Sequence, residues 1–224
     1  AEAKLKQIER LRAELVAPEK DTSSIHFKFT AKEVGGNDVL MCDELSKSYD
    51  KPVFKNASMH IRKGERVFLL GPNGCGKSSI LHLLCGMDVP HGGEVRRGSG
   101  LRISFVGQNT SGLCSSAAEL IREKEIDESR FYSILNKLDV PKAQLERDLR
   151  LLSEGQRKKV LLAASLCERA HLHVWDEPLN YIDVISRIQI EELLLRFRPT
   201  IVFVEHDKVF CEHVATRIVS MQKA

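Results

Sequence analysis

Gly71-Pro72-Asn73-Gly74-Cys75-Gly76-Lys77-Ser78 is a complete G-x-x-x-x-G-K-S stretch, directly after the apolar run Val67-Phe68-Leu69-Leu70. The context decides the reading. A buried strand ends, a glycine-rich turn follows, and a helix with apolar Ile80, Leu81, Leu83 and Leu84 opens at the lysine. Gly71, Gly74 and Gly76 let the backbone fold into a concave nest of N–H groups that a Cβ would obstruct. The helix start adds the positive end of its dipole to the same spot. Lys77 is then expected to reach the β- and γ-phosphates of a nucleoside triphosphate, and the Ser78 hydroxyl to ligate Mg²⁺. The binding segment is taken as Gly71 to Ser79.

Working outward, the chain has 224 residues, enough for one large domain or a core plus a lobe. With 29% charged and 42% hydrophobic residues it has ordinary globular composition, and a net charge of +3 neither requires nor excludes an anionic partner. No apolar run approaches the roughly 20 residues of a membrane helix, and no secretory signal opens the chain. Cys42, Cys75, Cys85, Cys114, Cys167 and Cys211 form no C-x-x-C pair, which points to reduced thiols and a cytoplasmic setting. The chain opens without Met, inside a helical pattern, and holds one phosphate loop, so it reads as part of a longer polypeptide.

Residues 1–16 carry a narrow apolar stripe (Leu5, Ile8, Leu11, Leu15) on a charged helix, which Pro18 and the polar stretch to Ser24 end. Strand-like runs follow at 25–29, 39–42 and 57–61. Residues 90–100, rich in Gly and Arg, read as a turn-bearing connection, and 102–106 as a strand ending at Gly107-Gln108. Amphipathic helices at 117–121 and 129–138 form a helical lobe, about 109–168 with its flanks. Helix 156–168, strand 172–176, helix 184–197, strand 200–204, helix 208–215 and a strand near 217–219 then alternate. Such alternation predicts an α/β fold with a mostly parallel sheet covered on both faces.

Leu172-His173-Val174-Trp175-Asp176-Glu177 is an apolar strand running into two acids. Asp176, at the strand end, is placed to hold Mg²⁺ directly or through water, and Glu177 to polarise an attacking water. His173 reads as a hydrogen-bonded core residue. Leu152-Ser153-Glu154-Gly155-Gln156 precedes a helix whose free N–H groups favour an anion, although Ser153 with an acid or amide after it is also a common helix-start device.

With these pieces in order, the chain over residues 38–220 resembles the ATP-binding cassette family. Leu-Ser-Glu-Gly-Gln is similar to that family's Leu-Ser-Gly-Gly-Gln signature, with Glu154 in place of the first Gly. The resemblance implies a P-loop triphosphatase cassette: a RecA-like, mostly parallel sheet core, an antiparallel β subdomain and an inserted α-helical lobe. It implies ATP and Mg²⁺ as ligands, with Ser78, Gln108 and Asp176 at the metal and Tyr49 stacked on adenine. It implies catalytic roles for Lys77, Glu177 and His206, and a loop at Asp183 that crosses to a partner cassette. Cassettes of this family pair head to tail, so Ser153, Glu154, Gly155 and Gln156 would act on a nucleotide held by the partner. An acid at 154 either weakens that contact or points outward.

Within the family the chain is similar to ABC-F proteins, soluble two-cassette ATPases that act on ribosomes. Residues 1–24 then correspond to the end of an interdomain linker, and 25–224 to the second cassette. Asp176-Glu-Pro-Leu-Asn-Tyr-Ile-Asp183 and Phe203-Val-Glu-His-Asp-Lys208 resemble the antibiotic-resistance branch, which implies ribosome protection. Arg96, Arg97 and Arg102 are candidate rRNA contacts or a solvated strand edge. The nucleotide-binding subunit of a membrane transporter keeps the same ATP chemistry and is the competing reading. A DNA-repair cassette would require long heptad-patterned helices.

Overall fold

The computed structural model describes residues 38–48, 52–87, 90–110 and 112–222. The helix expected at 1–16, the strand at 25–29 and Tyr49 lie outside these residues. In chain order the elements begin β1 (Asp38–Ser48), β2 (Pro52–Arg62), β3 (Arg66–Leu70), α1 (Lys77–Leu84), β4 (Gly92–Arg97) and β5 (Ile103–Val106). Next come α2 (Ala117–Glu123), α3 (Glu128–Lys137), α4 (Lys142–Leu145), a 3-10 turn at Leu149–Leu151 and α5 (Glu154–Cys167). The chain closes with β6 (Leu172–Asp176), α6 (Val184–Phe197), β7 (Ile201–Val204), α7 (Lys208–Val214) and β8 (Arg217–Ser220).

The central sheet has the order β5-β6-β7-β3-β8 and all its pairings are parallel. Its inner strands β6 and β7 are mainly apolar and fully buried because both faces are covered. Successive side chains still alternate. Val67, Leu69, Val174, Val202 and Val204 face one core, with α1 and the antiparallel sheet. Phe68, Trp175, Ile201 and Phe203 face the other, with α5, α6 and the helical lobe. Phe68 stacks on Phe203 across neighbouring β3 and β7, with ring centroids 5.6 Å apart. The expected α/β class, parallel core, antiparallel sheet and helical lobe are all present.

Residues 90–100 depart from expectation. Instead of a plain connection they contain β4, which pairs antiparallel with β1 and completes a second sheet ordered β2-β1-β4. β4 is solvent-exposed along most of its length and so shows no apolar alternation; backbone pairing to β1 holds it. Arg97 explains one charge of this stretch: its guanidinium donates to the carbonyls of Leu83 and Leu84, capping the C-terminus of α1. Arg96 pairs with Glu94 on the surface, and Arg102 lies 3.9 Å from Glu125.

Between β5 and β6 the chain leaves the sheet to build the lobe, whose core centres on Leu120, Phe131, Leu135, Leu138 and Leu149. α5 returns it to the sheet. There Ser165 makes a buried polar junction: its hydroxyl accepts from Trp175 Nε1 (2.9 Å) and lies 2.8 Å from Ser104 Oγ and 3.2 Å from His173 Nδ1. His173 is thus the core residue expected. Burial pushes its imidazole pKa down from 6.5 to about 4, so it is neutral near pH 7.

Candidate functional site

The site gathers at the C-terminal ends of four adjacent parallel strands, where open α/β sheets bind ligands. β3 runs into the phosphate loop, β5 into Gln108, β6 into Asp176 and Glu177, and β7 into Glu205 and His206. The sheet order, not the sequence order, makes these loops neighbours.

The loop after β3 has the form its glycines require. Gly74 and Gly76 sit at φ +77 and +92, in left-handed territory where an L side chain is strained. A Cβ on Gly76 would also fall 2.6 Å from the ring of Phe54. Pro72, Asn73 and Gly74 form the exposed rim, while Cys75 is buried beneath it. α1 begins at Lys77, and that side chain curls back across the loop to donate to the carbonyls of Gly71 (2.8 Å) and Pro72 (3.1 Å). A cation therefore stands over an open rim of backbone, with Ser78 and Ser79 half-buried in the first helical turn.

The acids follow β6, two strands from β3 in the sheet. Asp176 is buried at the end of β6, and Gln108 Nε2 approaches its Oδ1 at 3.4 Å. Glu177 leaves the strand at φ +49, an unusual conformation for a non-glycine residue and one found at functional turns. Its carboxylate is pinned from both sides: Oε2 accepts from Asn180 Nδ2 at 2.6 Å, and Oε1 lies 3.3 Å from His206 Nε2. The backbone carries the sheet one step further, with Glu177 N–H donating to the Val204 carbonyl at 3.0 Å. Gln108, Asp176, Glu177 and His206 thus converge. Asp176 offers one buried carboxylate beside Gln108, chemistry that fits a hard cation keeping water and phosphate ligands.

Two residues at this centre were not singled out from the sequence. Glu205, buried at the end of β7, accepts from the Leu179 N–H (2.9 Å) and the His206 N–H (2.7 Å), tying the loop after β6 to the loop after β7. An acid between an apolar strand and His206 was the available signal. Lys158 is fully buried in α5 and donates to the Gly107 carbonyl at 2.7 Å. Burial lowers its pKa, while Asp176, Glu205, Glu177 and Glu154 act in the opposite sense. A lysine within Arg157-Lys158-Lys159 carries no linear sign of burial.

The segment at 153–156 starts α5 with a full capping box: Ser153 Oγ accepts from Gln156 N–H, and Gln156 Oε1 accepts from Ser153 N–H. α5 therefore begins at Glu154, two residues before the expected start at 156. The Glu154 carboxylate is turned toward its own chain. Oε2 accepts from Thr110 Oγ1 at 2.7 Å and Oε1 pairs with Arg157. Gly155 lies against the loop after β6, where a Cβ would meet the Tyr181 carbonyl oxygen at 2.4 Å. Asp183 caps α6 through the Ser186 N–H (2.9 Å) and pairs with Lys159 at 2.7 Å. Burial alone would raise the Asp183 pKa, but Lys159 and Ser186 outweigh it and hold the carboxyl at about 2. The signature segment and the Asp183 loop are thus one packed unit. Around it Leu151, Tyr181, Val184 and Ile185 are exposed apolar side chains.

A strand-borne phosphate loop, buried Asp176 followed by half-buried Glu177, and a capped signature helix on this fold define an ATP-binding cassette. Residues 54–180 match the family model described as ABC transporter, and the chain belongs to that family. Its relatives bear out the ABC-F resemblance. It is 30% identical to the putative ATP-binding protein YdiF of Bacillus subtilis, over 100% of this chain and 36% of that protein. It is 28% identical to ABC transporter F family member 5 of Arabidopsis thaliana, over 97% of this chain and 32% of that protein. It is also 30% identical to the ribosome protection protein VmlR of Bacillus subtilis, over 92% of this chain and 38% of that protein. The chain therefore spans about a third of the length of these curated relatives. Among solved structures, the dimeric bacterial ABC transporter cassette MJ0796 superposes with a TM-score of 0.69 at 22% identity, over 82% of this chain and 94% of that one. Among the described residues, no helix is long and apolar enough to cross a membrane.

Proposed function

We propose that this chain is the ATP-hydrolysing cassette of a soluble, cytoplasmic ABC-F protein that acts on the ribosome, in antibiotic resistance by ribosome protection. Residues 1–24 would end its interdomain linker, 25–224 form the second cassette with a helical lobe at about 109–168, and another cassette on the same polypeptide complete the site. The observation that carries the ATPase part is the Glu177 carboxylate, pinned between His206 and Asn180 one residue beyond buried Asp176. The ribosomal part rests on the similarity to the ribosome protection protein VmlR.

In this reading the nest at Gly71–Ser79 binds the phosphates and Lys77 swings from its loop carbonyls to the β- and γ-oxygens. Mg²⁺, held by Ser78, Gln108 and Asp176 together with the phosphates, would offset phosphate charge. Glu177 orients water for in-line attack, and His206, 3.3 Å away, holds that carboxylate and faces the γ-phosphate. Tyr49 stacks on adenine. Ser153, Gly155 and Gln156 close over the other cassette's nucleotide, with Asp183 crossing at the same interface.

Co-sedimentation of the full-length Glu177→Gln protein with ribosomes in Mg-ATP tests the whole proposal. Association that ADP abolishes is expected. No association, or capture instead by a membrane-embedded partner, moves the cassette to transport, whose cassettes share this fold.

A further inference from the structure

Two side chains on one face of α5 grip the segment that follows β5. Glu154 and Lys158 are four residues apart and so point the same way from the helix. Lys158 Nζ donates to the Gly107 carbonyl at 2.7 Å, and Glu154 Oε2 accepts from the Thr110 hydroxyl at 2.7 Å. Lys158 and Thr110 are both buried. The two bonds bracket Gln108, which is itself exposed and reaches toward Asp176 Oδ1. Each bond has one charged partner and is short, the stronger class of hydrogen bond; Lys158 is buried, whereas the Glu154 carboxylate is half-exposed. Ser153, which caps the same helix, is the residue next to Glu154.

We infer that Glu154 is a positioning residue, a strap through Thr110 that makes the first turn of α5 move with the Gln108 segment. A change at Gln108 on filling this chain's own nucleotide site is thereby passed to Ser153, which faces outward to another site. Lys158 anchors the near end of the segment and Glu154 the far end. A glycine at 154 has no side chain with which to make the second bond, so the departure from the family signature adds a link within the chain. Arg157 takes the other carboxylate oxygen, so the acid does not stand as an unpaired charge beside the helix N-terminus. The inference rests on the nucleotide roles proposed above for Gln108 and Ser153.

Amide hydrogen exchange on the full-length protein, with and without Mg-ATP, tests it. Thr110→Val removes the hydroxyl at constant shape, Glu154→Gly removes the strap, and Glu154→Gln keeps an acceptor. In the wild type, Mg-ATP should slow exchange at 71–79, 107–110 and 153–157 together. In Thr110→Val and Glu154→Gly the first two segments should still respond, while the response at 153–157 falls by about fivefold, a typical coupling. The double variant should lose no more than Glu154→Gly alone, and Glu154→Gln should keep the response. An unchanged response at 153–157 in Thr110→Val, or losses that add in the double variant, overturns the strap. If Mg-ATP slows nothing at 71–79, the nucleotide reading itself fails. The strap is then judged without nucleotide: Thr110→Val must raise exchange at 154–157, and no rise in it overturns the strap.

Discussion

His206 Nε2 stands 3.3 Å from Glu177 Oε1, although 29 positions separate the two residues in the chain. The contact exists because β6 and β7 are parallel neighbours whose C-terminal ends release Glu177 and His206 side by side. Glu205 fixes the spacing by holding the N–H groups of both loops on one carboxylate.

Glu177→Gln keeps the side-chain shape and the contact with Asn180, and removes the charge that would orient water. Turnover should fall at least about a hundredfold, with ATP affinity little changed. Steady-state phosphate release beside equilibrium nucleotide binding measures the two; undiminished turnover removes Glu177 from its role.

Lys77→Ala should weaken ATP binding by tenfold or more, roughly the worth of one charge-assisted phosphate contact. A titration with fluorescent ATP reads it directly. Since Lys77 also ties the loop to the Gly71 and Pro72 carbonyls, thermal unfolding of the nucleotide-free protein should show a small loss as well. Wild-type affinity in this variant would mean that the nucleotide sits elsewhere.

Gly155→Ala places a Cβ 2.4 Å from the Tyr181 carbonyl oxygen, against backbone that has little room to yield. Overpacking of this kind costs about 1–3 kcal/mol. Gly112→Ala meets nothing within 4 Å and serves as the control. Urea unfolding of the two variants should separate them clearly, and equal stability would contradict the packing of the signature against the Asp183 loop.

His173 sets a pH dependence. Its pKa falls from 6.5 to about 4 on folding, so the unfolded chain takes up the proton first as pH drops. The stability that this neutral imidazole contributes is complete above about pH 6.5 and is lost progressively toward pH 4, some 3 kcal/mol in all at 1.4 kcal/mol per pH unit. Denaturant midpoints at pH 7 and pH 4.5 should drop further for the wild type than for His173→Asn. Parallel drops would show that His173 is not the group responsible.

How much the sequence reveals depends on how local the information is. The phosphate loop, the Asp176–Glu177 strand end and the Ser153 cap are each defined by residues within a few positions of one another, and each is found where it was read. β4 escaped because its exposed Gly- and Arg-rich residues carry no alternation; its partner β1 lies about 50 residues earlier. Lys158 and Glu205 escaped for a related reason. Their burial is conferred by the packing of α5 on β5 and by the adjacency of β6 and β7, which no spacing in the chain records. The meaning of Glu154 was open until Thr110 and Arg157 were seen to hold it.

In the proposed function Lys77 and Ser153 serve two different nucleotides, one held by each cassette. The most direct measurement is retention of a non-hydrolysable ATP analogue by the full-length protein through gel filtration, compared with its Ser153→Asp variant. Asp caps a helix as well as Ser does, so α5 keeps its start, but its charge repels a phosphate at that helix N-terminus. Ser153→Asp should release nucleotide from the site it closes while fluorescent-ATP binding at Lys77's own loop is kept. Equal retention of the analogue by the two proteins would contradict this division of roles.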